Sequence, residues 1–245
     1  FSILNALQIF YVGAFFSQAL PSAVGGDPVR MYMSHRLGFS IRESVNGVLL
    51  ERVVTVLSLI LVVVTTQLWF VPQIDHPSIG LIKPTIIIIS IGAFVGIVVL
   101  LNFDRLPEAL MRWRAVRGLG NLGIDGRKVF LSKHNLPRVL FWGILTHLNI
   151  STSVFLLAMG LELDVSLVDC IALMPLVLMI MTIPISIGGW GVRETAMVAF
   201  FGLAGVPNES ALVLSVLMGL VGIIAMLPGG LVWLLGREDS DRKTY

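Results

Sequence analysis

Of the 245 residues, 56% are hydrophobic and only 13% charged, and the mean hydropathy is +0.91, which leaves too little polar surface for a soluble domain of this length. A net charge of +2 is too small to suggest a nucleic-acid binder, and Cys170, the single cysteine, excludes an intrachain disulfide and a cysteine-built metal site. The composition is that of a membrane protein.

The chain opens on an apolar stretch, Phe1–Leu20, without Met and without a charged leader region, so its natural start is expected to be missing and no signal peptide is read there. The stretch runs into Pro21-Ser22-Ala23-Val24-Gly25-Gly26-Asp27-Pro28-Val29-Arg30. Far downstream the same pattern returns as Pro184-Ile185-Ser186-Ile187-Gly188-Gly189-Trp190-Gly191-Val192-Arg193, and both copies read P-x-x-[VI]-G-G-x-x-V-R. Proline lacks a backbone donor and paired glycines admit strained or left-handed backbone, so neither copy is expected to continue a helix. Inside a bilayer such a break must face protein or a water-filled cavity. Two broken membrane segments in matching positions are the pattern around the midplane binding site of a transporter.

After Arg30, Arg36 and Arg42 comes Gly47–Phe70, long enough to span at about 20 residues. A loop over 72–83, where Asp75 and Lys83 cancel, leads to a second span, Pro84–Leu101. The longest polar stretch, Asp104–Arg138, holds eight basic residues against Asp104, Glu108 and Asp125. Within it Leu106, Leu110, Trp113 and Val116 have helical spacing, so Arg105–Arg117 reads either as an interfacial helix or as a solvated connecting loop. Val139–Met159 is a third span. There Thr146, Asn149 and Ser153 share a face that bonds across helices or lines a cavity, while His147 reads as a hydrogen-bonded packing residue rather than a proton relay. Acidic Glu162, Asp164 and Asp169 precede Leu167–Ile183, which enters the second motif; the following limb, Glu194–Ala204, is too short to cross. Gly205–Ser210 echoes Gly38–Ser44, each with a helix-start pattern ahead of a long apolar run, here Ala211–Leu235. Gly92 with Gly96, and Ala211 with Ser215 and Gly219, are small residues spaced for close helix contact. Pro228-Gly229-Gly230 is a possible kink with no functional reading.

By the positive-inside rule the Arg36 loop, the Asp104–Arg138 segment and the C-terminus are cytoplasmic, and the 72–83, 161–170 and 205–210 loops are outside. Leu167–Gly205 then starts and ends outside, a re-entrant hairpin, and Phe1–Arg36 is its counterpart from the cytoplasm; the competing reading is that Phe1–Leu20 simply crosses. The expected fold is all-α, a single polytopic transmembrane domain over 1–245. Its two broken or re-entrant hairpins form an inverted repeat, with halves at about 1–103 and 139–236 joined by the basic cytoplasmic segment 104–138.

Ionisable residues at membrane depth are costly enough to be read as functional by default. Arg30 and Arg193 follow the broken loops, where Gly25, Gly26, Gly188 and Gly189 bring backbone N–H groups close, and arginine's planar fork suits phosphate. The structural alternative is that each arginine pairs with Glu51 or Glu194 to hold its hairpin. Glu51 and Arg52 sit early in a spanning helix with Ser44, Gly47, Thr55 and Ser58 roughly on the Glu51 face, a stripe that could line a headgroup path. Asp27, beside Pro28, reads first as a helix cap.

Leu20–Asp27 with Arg30, Leu50-Glu51-Arg52, Pro184–Glu194 and Leu227-Pro228-Gly229-Gly230 resemble the lysylphosphatidylglycerol synthase transmembrane-region family, the flippase-like domain proteins. The resemblance covers nearly the whole chain. It implies a polytopic membrane protein of the prokaryotic inner membrane that moves a lipid between leaflets. Nothing here resembles the soluble synthase domain of the bifunctional members, so that activity is not implied. The leading expectation is a flippase-like transporter, not an enzyme and without a cofactor or metal. It would act on an anionic phospholipid or polyprenyl-phosphate-linked lipid, with Arg30, Arg193, Glu51, Arg52, Glu194 and the four motif glycines at the binding site. A non-catalytic scaffold for a lipid-modifying enzyme and an intramembrane lipid transferase are the alternatives, and a partner enzyme or a homo-oligomer is compatible with any of them. No G-x-x-x-x-G-K-[ST] loop is present.

Overall fold

The computed structural model describes residues 2–19, 25–70, 79–105, 114–183, 186 and 189–242. Among them the fold is all-α, with no strand. The helices are α1 (Ile3–Ala19), α2 (Asp27–Arg36), α3 (Ile41–Phe70), α4 (Ile79–Leu101), α5 (Arg114–Phe130), α6 (Asn135–Gly160), α7 (Leu167–Met181), α8 (Val192–Phe201) and α9 (Asn208–Arg242), with short 3-10 turns at Phe103–Arg105 and Gly202–Ala204. Among the described residues three stretches are long and apolar enough to cross a membrane: Ile41–Leu68, Asn135–Gly160 and Asn208–Leu235. Ile3–Gln18, Ser90–Leu101 and Leu167–Met181 are shorter apolar helices.

Local chemistry sets the helix starts. The Ser40 N–H donates to Glu43 Oε2 at 2.9 Å and the Glu43 N–H returns to Ser40 Oγ at 3.2 Å, a reciprocal cap that opens α3 where the Ser–Glu pattern predicts. Ser166 and Asp169 repeat the arrangement at α7, at 2.8 and 3.1 Å. Such caps contribute about 1 kcal/mol each and fix where a span begins.

The chain divides into two compact units. The first joins Phe1–Val48, Ser153–Val165 and Ile180–Tyr245; the second joins Leu49–Thr152 and Ser166–Met179.

In the first unit α9 is the spine, and α1 and α8 pack along it while α2 folds back on α1. Close approach depends on glycine. A β-carbon at Gly229 would fall 2.0 Å from the Tyr11 carbonyl oxygen, and one at Gly230 would fall 2.9 Å from the Phe15 ring. Pro228-Gly229-Gly230, which carries no evident meaning in the sequence, is thus the contact surface for α1. In a bilayer helices gain little from burying apolar surface, so backbone-to-backbone packing of this kind is what holds them. One turn later the Trp233 ring meets Phe16 edge-on, with centroids 5.3 Å apart.

In the second unit α7 supplies the core, with Cys170, Ala172, Leu173, Met174, Pro175, Leu176 and Val177 all buried. Pro175 removes one intrahelical donor, and the Gln67 amide of α3 donates to the nearby Ala172 carbonyl at 2.7 Å. On α6 the buried polar face is His147 and Ser151, with His147 Nε2 3.1 Å from the Thr55 carbonyl. His147 is therefore a packing residue as expected. The Thr146, Asn149 and Ser153 face is the exposed one, and the Thr146 hydroxyl turns back to its own helix at Trp142.

The basic segment 104–138 carries an amphipathic helix. Residues 106–113, which carry most of the predicted pattern, lie outside the described residues, and the helix seen is Arg114–Phe130. Leu122, Gly126 and Phe130 form its buried stripe at helical spacing. It packs on the end of α4, where a β-carbon at Gly123 would sit 2.4 Å from the Leu100 carbonyl oxygen. Arg127 donates to the Leu101 carbonyl at 2.8 Å and clasps Asp104.

Candidate functional site

Both motif arginines belong to the first unit, and each lies on a ten-residue helix that begins at its break. The two copies share one backbone bond. The Arg30 N–H donates to the Gly26 carbonyl at 3.0 Å, and the Arg193 N–H to the Gly189 carbonyl at 2.9 Å. Sequence identity at these positions therefore reflects a common turn.

The glycines serve the two turns differently. In the second copy Gly189 and Gly191 have φ of 82° and 84°, the left-handed backbone that favours glycine. In the first, Gly26 is right-handed (φ −80°), and space is the constraint: a β-carbon there would fall 1.9 Å from the Gly13 carbonyl oxygen and 2.4 Å from Ser17 Oγ. Ser17 Oγ accepts the Gly26 N–H at 3.2 Å. Gly13 in turn leaves room for the Arg30 stem, whose Cγ would lie 2.2 Å from a β-carbon at that position. Gly25 is half-buried, while Pro21–Val24 and Gly188 lie outside the described residues.

Asp27 stands in the first turn of α2, buried at 2% exposure, and its carboxylate faces Arg30 at 3.7 Å.

Arg193 is the better-defined site. Only 5% exposed, its guanidinium is held on three sides. Nη2 donates to Glu194 Oε1 at 2.9 Å, Nε donates to Ser215 Oγ at 3.2 Å, and the Trp190 ring lies 4.6 Å from Cζ. The Ser215 hydroxyl donates onward to Glu194 Oε1 at 3.2 Å. Glu194 also accepts the Gly191 N–H, which ties the pair to the start of α8. Gly219 completes the slot: a β-carbon there would strike Nη2 at 2.3 Å and Cζ at 2.8 Å. Two members of the Ala211, Ser215, Gly219 series, read from sequence as a helix contact, thus also seat a buried cation from the packed α8. A glycine next to a guanidinium carries no hydrogen-bonding signal, so sequence spacing alone could not assign Gly219.

Gly219 and Gly222 lie at the middle of the Asn208–Leu235 span, and Gly222 is the position facing Gln18 of α1 near the first break. By rise per residue both are about 20 Å from either end of the span. A charge at that depth needs compensation, and Arg193 has it in Glu194.

The remaining predicted residues lie in the second unit. Glu51 is exposed, and its backbone carbonyl accepts the Thr55 hydroxyl at 2.9 Å. Arg52 lines a cavity of about 320 Å³ with Val53, Val56, Ala93 and Gly96. The stripe proposed with Glu51 does not hold together: Ser44 and Ser58 are buried, Gly47 and Glu51 exposed.

The family model described as Lysylphosphatidylglycerol synthase TM region matches residues 1–230. No curated protein and no solved structure matches the chain.

Proposed function

Since the chain belongs to the lysylphosphatidylglycerol synthase transmembrane-region family, a membrane domain linked to lipid-related functions, we propose that it carries an anionic, phosphate-bearing lipid between leaflets and is not an enzyme. The observation that supports this most is the buried Arg193–Glu194 pair halfway along a spanning helix, beside a break in the chain.

The reading works as follows. Glu194 is the resident anion of Arg193. A lipid phosphate reaching the slot exchanges with that carboxylate, taking the guanidinium fork in the geometry arginine offers phosphate. Exchange is favoured over simple opening of the pair, because a buried charge left alone costs about 3–5 kcal/mol. That is more than a hundredfold in population. Arg30, with Asp27 beside it, repeats the arrangement at the other break. The two motif units act as inverted re-entrant hairpins that admit the headgroup from opposite sides, while the acyl chains stay in lipid. The arginines and lysines of the Asp104–Arg138 segment, with Arg237, Arg242 and Lys243 after the last span, support a cytoplasmic side for both regions, in a prokaryotic inner membrane on this reading.

The test is transport of fluorescent phosphatidylglycerol in proteoliposomes, read by protection from external reductant. The protein should move it, and Arg193→Gln with Arg30→Gln should abolish movement while leaving a monodisperse protein. No movement of any anionic lipid by folded protein would overturn the reading, as would full activity in the double variant.

A further inference from the structure

Three positions before each motif arginine stands a residue that faces its guanidinium. Asp27 lies 3.7 Å from Arg30, and the Trp190 ring centroid lies 4.6 Å from Arg193 Cζ. The two differ in kind. Asp27 is an anion buried at 2% exposure, so turning it aside would separate a buried ion pair. Trp190 is neutral and 37% exposed, over an arginine that is 5% exposed. An exposed ring thus lies on a buried cation.

The other neighbours of Arg193 are fixed. Ser215 and Gly219 are buried on α9, and Glu194 is tied to the Gly191 N–H at the start of α8. Ser215 and Glu194 both hold the guanidinium by charge-assisted hydrogen bonds, which contribute more than a ring stacked on a cation. The ring is therefore the part of the slot that yields at least cost. Its backbone is pinned on both flanks, because the Gly189 carbonyl accepts the Arg193 N–H at 2.9 Å and the Gly191 N–H bonds to Glu194. The side chain has more freedom. Glycines flank it on either side, and a β-carbon at Gly191 would meet nothing within 4 Å, so the space next to the ring's mount is open. A change of rotamer needs no more than that.

We propose that Trp190 is the gate of the Arg193 slot: its side chain rotates on a fixed backbone to admit the phosphate headgroup, and its return closes the slot. Glu194 is displaced only after the ring has turned aside. The first break has no such gate, because the residue that faces Arg30 from the matching position is itself an anion. The gate rests on the carrier reading for its guest, but both the cover and its motion are measurable without transport.

The cover is tested in phosphatidylcholine nanodiscs with phenylglyoxal, an apolar arginine reagent, followed at Arg193 by peptide mass spectrometry. Trp190→Ala should react at least tenfold faster than the unaltered protein, and Trp190→Phe, with its smaller ring, at a rate between the two. Equal rates overturn the gate. If Trp190→Ala does not assemble, Trp190→Phe decides: it should react at least twofold faster, and an unchanged rate overturns the gate. The motion is read from Trp190 emission, taken as the difference from the Trp190→Phe protein, in discs holding a fixed fraction of brominated-chain phosphatidylcholine. Replacing part of the unbrominated phosphatidylcholine with phosphatidylglycerol should at least double the quenching, as the ring turns out into lipid, and Arg193→Gln should remove that response. Quenching indifferent to phosphatidylglycerol overturns the gate, as does a response that survives Arg193→Gln. Absence of transport in the unaltered protein, with both readouts as expected, sinks only the carrier reading.

Discussion

The guanidinium of Arg193 fills the space that a side chain at Gly219 would take: a β-carbon there would lie 2.3 Å from Nη2 and 2.8 Å from Cζ. Gly219→Ala should therefore push Arg193 off Ser215 and Glu194 without changing any charge. Lipid transport should drop at least tenfold, close to the loss from Arg193→Gln, in a protein that still runs as a single species on gel filtration. Arg193→Lys should also lose transport, because the three donors of an ammonium share one nitrogen and cannot reproduce the separate Nε and Nη2 positions that meet Ser215 and Glu194. Wild-type transport in Gly219→Ala would detach the slot from function.

Gly229 faces backbone instead of a movable side-chain end. With the Tyr11 carbonyl 2.0 Å from a β-carbon, Gly229→Ala must separate α1 from α9, at the upper end of the 1–3 kcal/mol usual for overpacking, about 3 kcal/mol. Gly47 has nothing within 4 Å, so Gly47→Ala should be neutral or stabilising by up to about 1 kcal/mol. Thermal unfolding in detergent should separate the two variants clearly.

Gln67 bonds to Ala172 in the stretch where Pro175 interrupts the α7 ladder. Gln67→Leu keeps the bulk and removes the donor. Hydrogen bonds between membrane helices contribute about 0.6 kcal/mol on average and at most about 1.7. A loss of about 1 kcal/mol is expected, measured by steric-trap unfolding in bicelles; unchanged stability would show that the bond to Ala172 does not hold α3 to α7.

Asp104 and Arg127 join the end of α4 to α5 outside the spans. The hydrogen bond from Arg127 holds the Asp104 carboxyl below the ordinary aspartate value. The sign follows from the lowered value: the clasp is fully present above the ordinary value of about 3.9, and it is lost as pH falls through the lower, folded one. Hydrogen-exchange protection over 114–130, relative to the intrinsic rate at each pH, should fall on acidification through that window. Asp104→Asn should exchange faster at neutral pH and lose that acid dependence; an unchanged profile in Asp104→Asn would show that the clasp does not hold α5.

Much of this arrangement was legible in the sequence, and the misses share a cause. Proline and paired glycine mark both breaks in one dimension, because they act on their own backbone. The Arg193–Glu194 pair was visible because the two are neighbours in the chain. By contrast, Gly13, Gly219 and Gly229 matter through atoms 17, 26 and 218 residues away, and a small residue carries no sign of what will occupy the space beside it. The buried polar face of α6 was not singled out for a similar reason. Period places Thr146, Asn149 and Ser153 together, and His147 with Ser151, but it does not say which stripe turns inward. Asp27 was legible as a first-turn acid beside proline, and only the fold shows that it also faces Arg30.

The shared bond between arginine N–H and glycine carbonyl hides a difference in what each copy forbids. At Gly26 the objection to a side chain is volume, since neighbouring backbone and Ser17 occupy the place of the first carbon. At Gly191 the objection is handedness, since the surroundings are open and only φ is wrong for an L-residue. A mirror-image alanine introduced by chemical ligation should thus be accepted at 191, where the natural enantiomer strains the turn. At 26 the L-alanine that would suit the backbone has no room. The two turns are spelled alike, yet during divergence one is policed by crowding and the other by chirality, so their glycines are exposed to different mutations.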